Sequence, residues 1–538
     1  MIRNGGILMK KTIAVILAGI MLFTTFGVCG AAEKQRIQYD IENPYAEVDW
    51  DAWQGYKAQL HCQTTASDGY QPIKEAIADY YALDYDIVAI TDHGTTNRGW
   101  DKEPQTIPLV REVKKGRTGG ADAPIIPLTA EEYEGYTSGT AESITFTYGK
   151  NADSDFKTTP TDRTRTHANG MLDVQQGNEL NMATPFCDCH LTGYWSDYGQ
   201  GFAGVFGDYE TPCREVNRAG GVTMLAHVGE YVYPDKDSAN YVGQPVDDYF
   251  ASKFARIFLD NPGSAVGMGI NSATDAHTRC DRILYDQILQ KTIPNGVTPW
   301  GFTFSDSHSD TSLNDAYCYM YMPELTQEAL RDCMVNGRFF AVSHYSNGYE
   351  LNGMQEIEGY RDEDYKNVKW WEDNTPRVTK VEVDDEADVI KVWGENFNYI
   401  TWVSNGNVIL RDYDVEGGYA ELDLNREDLL DDIHMFVRFY LSGDNGICYA
   451  QPMTVRAEGE TFAPVNVPKT YDLPFFLRKL VTILDWMIFK FSPVVWAFKY
   501  FALGYDPVQQ TVDSIKDAAN TAADTVTGTV NTVTNAIC

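Results

Sequence analysis

Between Pro72 and Tyr81 the apolar residues Ile73, Ala76, Ile77 and Tyr80 recur at helical spacing. The next apolar run, Ile87-Val-Ala-Ile90, is unbroken and too short for a helix, so it predicts a buried strand. It stops abruptly in Thr91-Asp92-His93. Upstream, Gln59-Leu-His61 also places a histidine just after an apolar position. The order is strand, helix, strand, with polar side chains where each strand runs out. Two more segments close in the same way. His227 follows Gly220-Gly-Val-Thr-Met-Leu-Ala226, and His308 follows Gly301-Phe-Thr-Phe-Ser-Asp306-Ser. Residues 213–219 predict a short helix closed by Gly220-Gly221. Residues 283–291 and 325–336 predict amphipathic helices, the second ended by Gly337, and 338–342 a last barrel-edge strand.

Elsewhere the pattern changes. Residues 33–55 are a polar lead-in rich in Asp, Trp and Tyr. From about 137 to 205 the chain is polar and rich in Gly and Thr, and reads as a long insertion or lid. Across 377–456, strand-like runs at 378–383, 389–393, 400–403, 419–424, 435–441 and 453–455 alternate with turn residues such as Asn405-Gly406 and Gly417-Gly418. That is the signature of a small all-β sandwich. It carries His434 and no ligand cluster, so packing or shaping of a substrate side is its expected role.

The ends of the chain have their own signals. Lys10 and Lys11, the apolar stretch 13–28 and the small residues Gly30-Ala31-Ala32 make residues 1–32 an export signal, with Met9 a natural start for it. Cys29 is a candidate for lipidation, although Val28 before it is larger than such sites usually carry. Residues 473–505 are apolar and aromatic but broken by Arg478, Lys479, Asp485, Lys490 and Lys499. A spanning helix needs about 20 apolar residues. The segment therefore reads either as helices lying in a membrane interface or as helices packed on the barrel. Residues 506–538 carry a narrow stripe of small apolar residues among many Thr and Asn, a weakly helical tail.

A net charge of −34 argues against nucleic acid as a partner. It leaves small phosphorylated substrates open, because bound metal ions reverse the local field. The ten cysteines define no disulfide framework. Cys187-Asp-Cys189-His190 reads as a metal clip, a disulfide or plain loop thiols.

The histidines carry the chemistry. His61 with Thr64 and Ser67-Asp68-Gly69, Ile90-Thr-Asp-His93, Glu131-Glu132, the run 219–227 and Phe304-Ser-Asp-Ser-His308 together resemble the PHP (polymerase and histidinol phosphatase) family. An extra C-terminal β-domain makes the chain most similar to its exported, carbaryl-hydrolase-like branch. The resemblance implies an α/β fold, a distorted (β/α)7 barrel over 56–345, followed by the sandwich and a helical tail. In such barrels active sites sit at the carboxyl ends of the strands. It also implies a site holding two or three divalent metal ions (Zn, Mn or Fe), with His61, Gln63, Asp68, His93, Glu131, Glu142, His227, Asp306 and His308 as ligands. His61, His93, Asp306 and His308 would form its catalytic centre, with Asp92 behind His93.

Two departures fall on ligand positions. The family's His-x-His is here His61-Cys-Gln63, and where a further His is usual the chain has Ala141-Glu142-Ser143. The acidic ligand itself is open between Glu131 and Glu132. Arg98, Arg163, Arg165 and Arg279 are candidates to grip a phosphate, or else surface arginines. The leading expectation is an exported phosphoesterase that uses a metal-bridged hydroxide on a small phosphorylated substrate. The alternatives are a metal-dependent carboxyl-ester or carbamate hydrolase, and a surface binding protein whose turnover is weakened by Gln63. The expected partners are a small-molecule substrate, no nucleic acid polymer, and a membrane surface met through 473–505.

Overall fold

The computed structural model describes residues 36–104, 124–148, 161–183, 188–198, 209–232, 244–272, 280–344 and 374–469. The export signal, Cys29, Cys187, Arg279 and the segments 473–505 and 506–538 lie outside the described residues, as does the side chain of Cys189. The N-terminal half runs β1 (Tyr39–Glu42), β2 (Gln54–Cys62), α1 (Ile73–Ala82), β3 (Ile87–Ile90), α2 (Ala130–Ser138), β4 (Phe146–Tyr148), β5 (Thr161–Arg163), β6 (Leu172–Asp173), β7 (Asn178–Ala183) and β8 (Asp188–Tyr194). It continues with α3 (Glu210–Arg218), β9 (Val222–Leu225), α4 (Asp248–Asp260), β10 (Ala265–Ser272), α5 (Asp281–Thr292), β11 (Trp300–Phe304), β12 (Ala316–Met322), α6 (Gln327–Asn336) and β13 (Phe339–Ser343). The class is mixed α/β, as expected.

Ile87, Val88, Ala89 and Ile90 are fully buried. Each large member of that strand contributes roughly 1.5–3 kcal/mol by leaving water. β3 lies between β2 and β6, parallel to both. A second sheet runs β11-β10-β9-β8-β7, parallel among β9, β10 and β11 and antiparallel through β8 and β7. Two isolated bridges join the sheets at the strand ends, Cys62 to Ser307 and His93 to Glu179. The second needs β7 to start against the end of β3. Gly177 allows this, because a Cβ there would collide with the Ile90 carbonyl oxygen.

The described residues do not show a (β/α)7 barrel. Among the described residues, helical crossovers between parallel neighbours join β2 to β3 through α1, β9 to β10 through α4 and β10 to β11 through α5. β7 and β8 form an antiparallel hairpin inside what the sequence marks as a polar insertion.

The C-terminal strands are β14 (Arg377–Asp384), β15 (Val389–Glu395), β16 (Tyr399–Ser404), β17 (Asn407–Asp412), β18 (Tyr419–Asp423), β19 (Phe436–Gly443), β20 (Gly446–Tyr449) and β21 (Met453–Ala457). β14, β15 and β18 make a small antiparallel sheet. The others extend the first sheet: β20 pairs with β13, β19 with β20, and β21 with β1. Backbone hydrogen bonding is therefore continuous from β3 to β21. The seam also holds a buried ion pair. Arg438 of β19 grips Asp286 of α5 through two bonds, Nε to Oδ1 at 2.8 Å and an Nη to Oδ2 at 2.6 Å. No helix of the described residues is long and apolar enough to cross a membrane. The described cysteines Cys62, Cys213, Cys280, Cys318, Cys333 and Cys448 are buried thiols.

Candidate metal centre

His61 closes β2, His93 follows β3, His227 follows β9, and Asp306 and His308 follow β11. The loop after β2 adds Asp68. The β7–β8 hairpin adds Glu179 and His190. These side chains meet in one place as two trios: His61, Glu179 and His227, and Asp68, His93 and His308. Within each trio one donor atom per residue lies within 4.8 Å of the others.

Glu179 joins the trios. Its Oε1 lies 2.6 Å from His190 Nδ1 and 3.7 Å from both His61 Nε2 and His227 Nε2. Its Oε2 lies 3.0 Å from His93 Nδ1 and accepts from the Gln63 amide. Asp306 sits beside the first trio, 3.3 Å from His61 Nε2 and 3.7 Å from His227 Nε2. In the second trio Asp68 lies 3.4 Å from His93 Nε2 and 3.5 Å from His308 Nε2.

Those separations fit a cation. Hydrogen bonds between such groups run about 2.7–3.2 Å. Two ligands about 2.1 Å from one ion in tetrahedral array stand about 3.4 Å apart. Six of these contacts fall between 3.3 and 3.7 Å. His61 Nε2 and Asp306 Oδ1 are also buried without a hydrogen bond among the described residues. Each such group costs about 1–3 kcal/mol if left unmet. A ring nitrogen and carboxylate set of this kind suits Zn, Mn or Fe.

The surroundings orient the donors. The Thr91 hydroxyl donates to the Cys62 carbonyl and lies 2.7 Å from His61 Nδ1, so that nitrogen carries the proton and Nε2 keeps its lone pair. His308 Nδ1 lies 2.9 Å from the Asp306 carbonyl, which does the same for that ring. Asp92 is not placed behind His93. It accepts from Thr64 N and Oγ1, both at 2.7 Å, and from Ser67 Oγ at 2.6 Å, and so braces the loop that presents Asp68.

Other sequence candidates stand elsewhere. Glu131 and Glu142 are exposed and belong to neither trio. Glu132 closes a capping box with Thr129 and pairs with Lys74. Gln63 is near the centre but acts as a hydrogen-bonding group, its Nε2 on Glu179 and its Oε1 accepting from Ser67. Arg98 pairs with Asp197 at the surface, and Arg163 with Asp84. Arg165 packs over the Tyr81 ring and bonds to the Tyr85 carbonyl. Glu179 is absent from the sequence candidates for ligands, and His190 enters them only through the Cys187-Asp-Cys189-His190 clip. Both also lie in a polar–apolar alternation, Glu179-Leu-Asn-Met182 and His190-Leu-Thr192, which a long polar stretch hides.

Charge in the pocket is unbalanced toward the acids. Burial would raise Asp68, Glu179 and Asp306, yet the neighbouring histidines outweigh it and hold all three below the usual carboxylate range. Burial would lower His308, but Asp306 and Asp68 lift it to about 10. His227 is lifted too, by Glu230, Glu179 and Asp306 against burial. Burial wins at His190, which falls to about 4 and is neutral at pH 7.

A cation must therefore displace protons. Taking up metal at pH 7 is expected to release about two protons per chain, one each from His227 and His308. Metal titrations in buffers of different ionisation heat measure this, and a release near zero would contradict the assignment. The sign for stability is the opposite of the acid case. In the metal-free chain the His308 pairing contributes fully below pH 6.5 and is lost as pH rises toward about 10.

Comparisons with known proteins add little to this geometry. No protein-family model matches the chain, and no curated protein matches it. Among solved structures, the chain is similar to a two-domain protein from Bacteroides vulgatus containing a predicted PHP-like metal-dependent phosphoesterase. The identity is 11%, and the match covers 80% of this chain and 96% of that one. A TM-score of 0.34 is too low to transfer a fold or a function.

Proposed function

We propose that this chain is a metal-dependent phosphoesterase that hydrolyses a small phosphorylated substrate, exported by the signal in its first 32 residues. The observation that carries the reading is Glu179 standing between two ligand trios, each assembled from different strand ends. One ion belongs with His61, Glu179, His227 and Asp306, and one with Asp68, His93 and His308. When bound, such ions supply Lewis acidity toward phosphoryl oxygens and make water a stronger acid at neutral pH.

The chain's own residues do the rest. His61, His93 and Glu179 are buried and keep bulk water from the inner side, while the Asp306 and His308 side chains are 22% and 34% exposed and mark the mouth. His190 is neutral at pH 7, and it and Gln63 hold Glu179 from its two sides. The phosphate reading rather than a carboxyl-ester one rests on the PHP-like motifs, since none of the arginines Arg98, Arg163 and Arg165 is placed in the cluster.

The test is elemental analysis of the purified chain together with a screen of phosphate and carboxyl esters. About two transition ions per chain are expected, with phosphate-ester hydrolysis that a chelator abolishes and that His308→Ala lacks. A chain without metal would sink the reading. Turnover of carboxyl esters alone would move it to the carbamate-hydrolase class.

A further inference from the structure

His227 stands where β9 has ended and the chain reverses. Its backbone sits at φ 25° and ψ 50°, a sparsely populated conformation for a residue with a Cβ. Residues Val228–Tyr231 form a single 3-10 turn directly after it, and the Glu230 amide bonds to the His227 carbonyl at 3.2 Å. This turn folds the Glu230 side chain back on its own histidine. Glu230 Oε2 lies 3.5 Å from His227 Nδ1, while His227 Nε2 faces Glu179 and Asp306.

A neutral imidazole has one proton for two nitrogens. A carboxylate at Nδ1 draws that proton to itself and leaves the Nε2 lone pair for a cation. His61 and His308 reach the same arrangement with neutral groups, the Thr91 hydroxyl and the Asp306 carbonyl. His227 has a charged carboxylate behind it, 27% exposed to solvent.

We propose that Glu230 is a positioning residue of the metal centre, fixing the proton of His227 on Nδ1 and strengthening Nε2 as a ligand without touching the ion. The proposal rests on the metal-centre reading given above. It explains why the turn after β9 holds a strained histidine, since that backbone is what brings a carboxylate three residues later onto the ring.

Zinc alone is the probe, its dissociation constant measured on the full chain by competition with a chromophoric chelator. Glu230→Ala is expected to weaken zinc binding by roughly 10–100-fold, the usual effect of losing a partner behind a ligand histidine. Glu230→Gln should lose less, because its amide oxygen keeps an acceptor facing Nδ1. The melting temperature of the metal-free chain should fall only slightly in both, far less than the zinc affinity. In a His227→Ala background, Glu230→Ala should add nothing. Affinity within twofold of wild type for Glu230→Ala would overturn the role, as would losses that multiply in the double variant or fall in step with metal-free melting temperature. A wild-type chain that binds no zinc overturns the metal-centre reading itself. Normal wild-type binding with an unaffected Glu230→Ala overturns this inference alone.

Discussion

Replacing Glu179 with glutamine is expected to empty both ion positions rather than one. The substitution is nearly isosteric, so strand β7 and its hairpin should fold as before. What changes is charge. Oε1 faces His61, His190 and His227, and Oε2 faces His93 Nδ1, so one trio loses its carboxylate and the other the anion behind His93. Losing a partner behind a ligand costs roughly 10–100-fold in metal affinity or activity. Removing a carboxylate that is a ligand at one position and backs His93 at the other should cost more, at least about a thousandfold in kcat/KM, or ~4 kcal/mol of transition-state stabilisation. Elemental analysis and hydrolysis assays check this together. Glu131→Gln and Glu142→Gln are the matched controls and should keep full metal content, since both side chains are exposed and outside the trios. A Glu179→Gln chain with its normal metal content would remove the bridging role.

Asp286→Ala should be among the most destabilising single substitutions in the chain. Asp286 and Arg438 side chains are 0% and 2% exposed, and the pair is bidentate. Removing one partner leaves a buried guanidinium uncompensated, which costs about 3–5 kcal/mol. Replacing both, as Asp286→Leu with Arg438→Met, should recover most of that loss, because the desolvation of both ions is then avoided. Urea unfolding followed by fluorescence measures the difference. A single variant within about 1 kcal/mol of wild type would show that the seam between α5 and β19 does not depend on this pair.

Much of the scaffold was legible because burial writes itself into short apolar runs. The helix expected to follow Pro72 is α1, the run 87–90 is β3, and the amphipathic patterns at 283–291 and 325–336 are α5 and α6. Gly337 does end α6, in a left-handed conformation at φ 70°. Strands β17 and β20 were missed, as their residues carry no clean apolar alternation of sufficient length. The sandwich pattern at 377–456 yielded strands, but not their destination. Several of them continue the sheet of the first half, and pairing between distant strands has no local signal.

His61, His93, His227, Asp306 and His308 could be picked out from the chain alone because each ends an apolar strand, and strand ends of parallel sheets converge on one face. Glu179 could not, and His190 stood out only as part of the Cys187-Asp-Cys189-His190 clip. They lie within strands of an antiparallel hairpin that is polar on one side, so neither an abrupt strand end nor an unbroken apolar run marks them. Near residue 131 two adjacent glutamates stand out locally as candidates for the acidic ligand. The fold instead uses those residues to start a helix, and brings Glu179 to His93 through a single bridge between two sheets. Local sequence thus determined the histidines and aspartate that close the parallel strands, and the strands that are short apolar runs. Tertiary structure decided which carboxylate completes the site, because that choice depends on where two edges of separate sheets meet.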